Sequence, residues 1–101
     1  MVKLVVAYRY PTDVEEFERR YKHEHVEMAR RIPHMSRIEF AKVAGMMDGS
    51  KAPYHRIAEL YFPNQEAMGK GAASPEGQAA VKHAADIASG GLDAMIVEVD
   101  E

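Results

Sequence analysis

One face of one predicted helix limits what this chain can fold into. Between Asp13 and Pro33 the residues Val14, Phe17, Tyr21, His25, Met28 and Ile32 recur at α-helical spacing, so an amphipathic helix must bury this stripe against another element. A stripe that only filled a core would use Leu or Ile. A tyrosine hydroxyl and an imidazole each need a hydrogen-bond partner once they leave water. Their presence on the buried side predicts a pocket lined from this helix. Thr12 and Glu15 form a capping-box pattern that opens the helix, and Pro33 stops it. On the other face Glu15 with Arg19, Glu16 with Arg20, Glu18 with Lys22 and Glu27 with Arg31 stand at the favourable four-residue spacing. These charges are expected to be solvated.

The remaining punctuation supplies what the helix packs on. Val2 to Tyr10 reads as a strand with Val2, Leu4, Val6 and Tyr8 on one side; Met35 to Ala44 and Tyr54 to Phe62 read as two more, joined by the aperiodic loop Gly45 to Pro53. A short helix is expected from Gln65 to about Lys70. Ser74-Pro75-Glu76 then opens another that runs through Ile87, with Ser as N-cap and Pro at the first helical position. Gly90-Gly91 ends it, and Ala94 to Val99 is a final strand. The order βαββαβ over a single domain, residues 1–101, predicts an α+β ferredoxin-like fold: a four-stranded antiparallel sheet with its helices on one face. On the first strand's other side, Val5 and Ala7 are too apolar for plain solvent. A chain of 101 residues also has a thin core, so a homodimer is expected to cover that side.

Composition removes several function classes. The chain has no cysteine, which excludes disulfides, thiolate metal sites and a cysteine nucleophile. Net charge is -3 with no polybasic block, so neither nucleic acid nor an anionic membrane is an expected partner. The apolar run Leu4 to Tyr8 is too short for a signal or membrane segment, and a soluble cytoplasmic protein is expected. His23 and His25 diverge by about 200° on a helix and cannot share an ion, so no metal is expected. No glycine-rich phosphate-binding pattern is present.

Three segments together carry a family resemblance. Phe17-x-x-x-Tyr21-x-x-x-His25 ending in Ile32-Pro33, then Ile57-Ala58-Glu59-Leu60-Tyr61-Phe62, then Ala73-Ser74-Pro75-Glu76-Gly77-Gln78-Ala79 followed by Ala85-Asp86-Ile87, resemble EthD-type proteins over nearly the whole chain. The resemblance implies a dimeric α/β barrel: two ferredoxin-like subunits packed sheet to sheet, helices outside, with a pocket between helices and sheet. That superfamily includes lactone isomerases, polyketide cyclases and cofactor-free monooxygenases, so the fold does not choose the chemistry.

The expected ligand is a compact apolar or aromatic molecule. If the protein is an enzyme, it is expected to use no cofactor: His25 moves a proton beside a carbonyl, and Tyr21 or His55 supports the developing oxyanion. Tyr8 and Tyr61 are expected to offer hydroxyls and ring faces to the ligand, with Phe17 and Met28 as wall. The alternative is a non-catalytic accessory or ligand-carrier protein, in which His25 anchors helix to sheet.

Overall fold

A computed structural model describes residues 1–100. Strand β1 (Val2–Arg9) leads into α1 (Val14–Arg20), which continues through a π-helical turn (Tyr21–His25) into α2 (Val26–Arg30). Strands β2 (Arg37–Lys42) and β3 (Tyr54–Phe62) form a hairpin, α3 (Gln65–Ala73) and α4 (Pro75–Ile87) follow, and β4 (Leu92–Glu98) closes the chain. The sheet order is β2-β3-β1-β4 with every neighbouring pair antiparallel, the ferredoxin-like arrangement that the element order predicts. Leu4 stands between Leu60 and Ile96, and Val6 between Ala58 and Ala94. This face carries the core against Phe17, Tyr21, Met68, Ala80 and Ala84 of the helices. Among the described residues no helix is long and apolar enough to cross a membrane.

The π-helical turn sets the direction of the first helix. Phe17, Tyr21, His25 and Ala29 are all buried and lie four residues apart. Each such step overshoots an α-helical turn by about 40°, so three would drift by about 120°. In the π turn the Val26 amide donates to the Tyr21 carbonyl, five residues back. This adds a residue to the turn and returns His25 and Ala29 to the line of Phe17 and Tyr21. Two members of the predicted stripe leave it as a result of where the rod begins and widens: Val14 is 43% exposed, and Met28 moves to the edge of the buried face.

Three local expectations are corrected. The helix is capped by Asp13, whose Oδ1 accepts from the Glu16 amide at 3.1 Å; the Thr12 amide instead donates to Ser89 Oγ at 3.0 Å. Alternation along β3 would turn His55 to the outer face with Ile57. However, Tyr8 pairs with Arg56 while Arg9 pairs with Tyr54, so His55 is the extra residue of a β-bulge. The bulge turns its ring inward against Phe17, with centroids 5.7 Å apart. Finally, α3 does not stop near Lys70. It runs on through Gly71, where a Cβ would lie 2.7 Å from the Pro33 carbonyl and 3.0 Å from the Phe62 ring. Ser74 then serves both helices, donating to the Gly71 carbonyl at 2.6 Å and accepting from the Gly77 amide at 2.9 Å.

The outer face of the sheet is mixed. Val5, Ile57 and Val97 are half-buried and Met95 is exposed. Ion pairs Lys3–Glu59 (3.0 Å) and Arg9–Asp93 (2.8 Å) flank this apolar strip.

The two glycines of α3 separate backbone preference from close approach. Gly71→Ala must push Pro33 or Phe62 aside and is expected to destabilise by about 1–3 kcal/mol. Gly69→Ala in the same helix meets nothing within 4 Å and should stabilise by up to about 1 kcal/mol. Urea unfolding of the two variants measures both.

Candidate functional site

Between the helices and the sheet lies an apolar cleft of about 60 Å³, room for about two water molecules at some 30 Å³ each. Leu4, Val6 and Leu60 form its floor, and Ala29, Ala58, Ala80 and Ala84 contribute methyl groups to its sides. Tyr8 and His25 are the polar side chains on its lining. The Tyr8 hydroxyl stands 3.3 Å from His25 Nε2. On the far side of the ring, His25 Nδ1 stands 3.0 Å from His83 Nδ1, and His83 Nε2 is 2.9 Å from Glu24 Oε1. The two imidazoles are nearly parallel, 13° between planes.

The direction of each bond follows from what its ends can offer. Hydrogen bonds from His83 and Arg20 hold the Glu24 carboxyl below its usual range, so it is ionised and only accepts. His83 therefore donates from Nε2. Burial, with His83 alongside, lowers His25 to about 4, so its ring is neutral near pH 7 and carries one N–H. Burial, and to a lesser degree neighbouring Tyr21, pushes the Tyr8 hydroxyl up, so it keeps its proton. With neutral rings, one assignment satisfies every pair: Tyr8 donates to His25 Nε2, His25 Nδ1–H donates to His83 Nδ1, and His83 Nε2–H donates to Glu24. His25 Nε2, on the cleft side, then holds a lone pair.

A second polar cluster clamps the first helix to β3. Arg56 donates from Nε (2.7 Å) and Nη2 (2.8 Å) to the two Glu18 oxygens, and His55 Nε2 lies 3.1 Å from Oε2. The Arg56 bonds, more than burial opposes them, bring Glu18 down to about 2. Four-residue spacing places Glu18 among the solvated charges of the helix; in the structure its ion pair with Lys22, at 3.7 Å, is the part that fits. Arg56 also covers the Tyr21 ring at 5.0 Å.

The residues expected at the site divide among several places. Tyr8 and His25 meet at the cleft. Tyr21 is fully buried beside them, but it does not line the cleft and its hydroxyl has no partner among the described residues. Burial raises that hydroxyl to about 12. His55 belongs to the Glu18 clamp. Phe17 stacks on Tyr21 at 5.3 Å behind the cleft, and Met28 lines an outer groove with Lys82, His83 and Asp86. Tyr61 lies on the opposite sheet face, under Arg37 at 4.2 Å and bonded to Glu39. Sequence reasoning missed His83 and Glu24. A signal for His83 was present, since it stands three residues after Ala80 and four before Ile87, on the inward stripe of a helix otherwise lined with small residues.

Comparison with known proteins gives consistent results. The model of the EthD domain family matches residues 9–89. An uncharacterized 11.0 kDa protein of Rhodococcus erythropolis, from the thcB-thcC intergenic region, is 32% identical over 98 residues, 97% of this chain and 94% of its own length. The crystal structure of an EthD family protein from Bacillus halodurans superposes with a TM-score of 0.92 at 28% identity, covering 98% of both chains. A hydroxynitrile lyase of Passiflora edulis shares the fold at TM-score 0.74 and 15% identity, over 99% of this chain and 94% of its own. So does a dimeric ferredoxin-like protein of unknown function from Jannaschia sp. CCS1, at TM-score 0.71 and 14% identity over 97% and 98%.

Two stability measurements read this wiring. The folded value of His25, about 4, lies below the ordinary 6.5, so the unfolded chain takes up its proton first as pH falls. Stability from this residue is complete above pH 6.5 and is lost between 6.5 and 4. Glu18, lowered from 4.5 to about 2, contributes above 4.5 and loses its contribution as pH falls towards 2. Urea midpoints between pH 8 and 4 should fall in the wild type and flatten in His25→Gln. Separately, Tyr21→Phe removes a buried hydroxyl without a partner and should leave stability unchanged or raise it by about 1 kcal/mol, whereas Tyr8→Phe should lower it.

Proposed function

Because the chain belongs to the EthD domain family, we propose that the cleft, with room for about two waters as it stands, widens to admit a compact apolar or aromatic carbonyl compound and that the protein moves a proton on it. His25 is the acid–base residue, and Tyr8 steadies the developing oxyanion. The observation that carries this reading is the pairing of His25. Its two ring nitrogens meet ionisable side chains, Tyr8 and His83, where a histidine that only anchored helix to sheet would be satisfied by backbone. The 3.3 Å bond from Tyr8 is long for an O–H donor, so a ligand oxygen entering the cleft can take over that hydroxyl. His25 Nε2 is then free to remove a proton from the adjacent carbon. The C–H electron pair stays with the substrate as an enolate, Tyr8 donates to its oxygen, and return of the proton at another carbon completes an isomerisation. This step requires no cofactor.

The protein is proposed to act as a cytoplasmic homodimer, with sheets packed face to face over Val5, Ile57, Met95 and Val97. The half-buried apolar strip flanked by ion pairs supports this, as does the dimeric relative that shares the fold. The fold also carries catalysis in the Passiflora lyase. A carrier or accessory role in a degradative pathway is the second reading. The accessory form of that reading, which needs no bound ligand, is favoured by the small volume of the cleft.

A native mass spectrum of protein purified from its own host should give the mass of two chains and release a small aromatic or lactone-like compound on mild denaturation. Aryl ketones and unsaturated lactones incubated with the protein in deuterated water should exchange the proton beside the carbonyl. His25→Gln should slow that exchange by about 10²–10⁴-fold while the protein stays folded. Ala84→Leu, which fills the cleft, should abolish both binding and exchange. A dimer that carries nothing, gains no stability from the panel and exchanges no proton overturns the ligand claim. Binding without exchange leaves the carrier.

A further inference from the structure

The four groups of the Tyr8–His25–His83–Glu24 chain become steadily wetter. Tyr8 is 1% and His25 5% exposed, while the side chains of His83 and Glu24 are 12% and 38% exposed. The chain therefore begins at the dry cleft and ends at the groove between the helices, where His83 meets Lys82 and Asp86. The charged groups around its outer end are fixed as well: Arg20 bonds Glu24 at 3.2 Å and Asp86 at 2.9 Å, and Arg19 approaches Glu24 at 3.8 Å. Among the described residues, the titratable groups that face His25 on the inner side are Tyr8 of β1, Tyr21 of its own helix and His83 of α4.

We infer that His83 and Glu24 are the proton outlet of the cleft: a proton gained at His25 Nε2 sends the Nδ1 proton of the same ring to His83, and the positive charge comes to rest beside Glu24. The inference deepens the acid–base reading above and rests on it. The bonds balance. The substrate C–H breaks as His25 Nε2–H forms, His25 Nδ1–H breaks as His83 Nδ1–H forms, and the electron pair of the C–H bond remains on the substrate. His25 ends neutral in its other tautomer and His83 ends as an imidazolium with both nitrogens protonated, its Nε2–H already directed at a carboxylate. A buried ring that pays heavily for a charge of its own thus never has to keep one. His83 and Glu24 act through His25, without touching the substrate.

The test is the position of the imidazole protons, read by long-range ¹H–¹⁵N correlation on the intact, ligand-free protein. Near pH 7.5 the expected tautomers are Nδ1–H for His25 and Nε2–H for His83. On acidification His25 should change from Nδ1–H to Nε2–H in the same step in which His83 gains its second proton. In Glu24→Gln that change of the His25 tautomer should move to lower pH, and ligand-induced stabilisation should survive. His25 found as Nε2–H at pH 7.5, His25 charging on its own while His83 stays neutral, or a Glu24→Gln variant that shifts nothing would each overturn the outlet. These failures are separable from failure of the site itself. The wrong tautomers with ligand-dependent proton exchange intact reject only the outlet; the right tautomers with no ligand reject only the carbonyl chemistry.

Discussion

Everything at the cleft depends on the widened turn of the first helix. A regular α-helix cannot carry four residues at four-residue intervals along one straight line of contact, yet Phe17, Tyr21, His25 and Ala29 are all buried against the sheet and α4. The π turn at Tyr21–His25 removes the drift, and the gain is specific: His25 arrives over Tyr8 while Glu24, one residue earlier, reaches the other side of His83. Two neighbours on one helix therefore bracket a ring from another. Such turns recur at functional sites because they redirect a side chain without breaking the helix.

Placing titratable groups in a thin core creates a second constraint, which the two polar clusters meet differently. Glu18, Arg56 and His55 form a closed set: the carboxylate receives a two-pronged guanidinium and an imidazole, and its charge is matched where it sits. Breaking one member would leave the others desolvated without a partner, the situation that makes buried ion pairs expensive to disturb. The Tyr8–His25–His83–Glu24 chain is open instead. It runs from the Tyr8 hydroxyl and His25 Nε2 at the cleft to a half-exposed carboxylate. The closed cluster fixes the helix on the sheet, and the open one ends at solvent.

The sequence exposed the architecture well because period and punctuation agreed. The strand alternation, the Ser74-Pro75 helix start and the Gly90-Gly91 break each pointed to the same βαββαβ order, and three spaced segments marked the family. It also exposed His25, as a polar residue in an apolar stripe. What stayed hidden depended on departures from ideal period. The π turn displaced Met28 from the stripe, the bulge reversed the side on which His55 lies, and Glu18 and Glu24 stood at ion-pair spacing on a helix whose charges otherwise belong in water. A carboxylate's four-residue partners are visible in a sequence; a partner on another element is not. His83 was concealed among alanines, where its significance depended on which helix lay opposite.

Those alanines have a consequence of their own. The cleft is bounded by four single methyl groups, at Ala29, Ala58, Ala80 and Ala84, while the bonds that set the protonation of His25 run through other side chains. Shape and hydrogen bonding are thus held largely by separate residues. Every alanine codon lies one base change from glycine, valine, serine and threonine, so a lineage can enlarge, narrow or wet the cavity one position at a time while the hydrogen-bonded side chains beside it are inherited unaltered. A cavity organised this way can change its shape faster than its polar wiring.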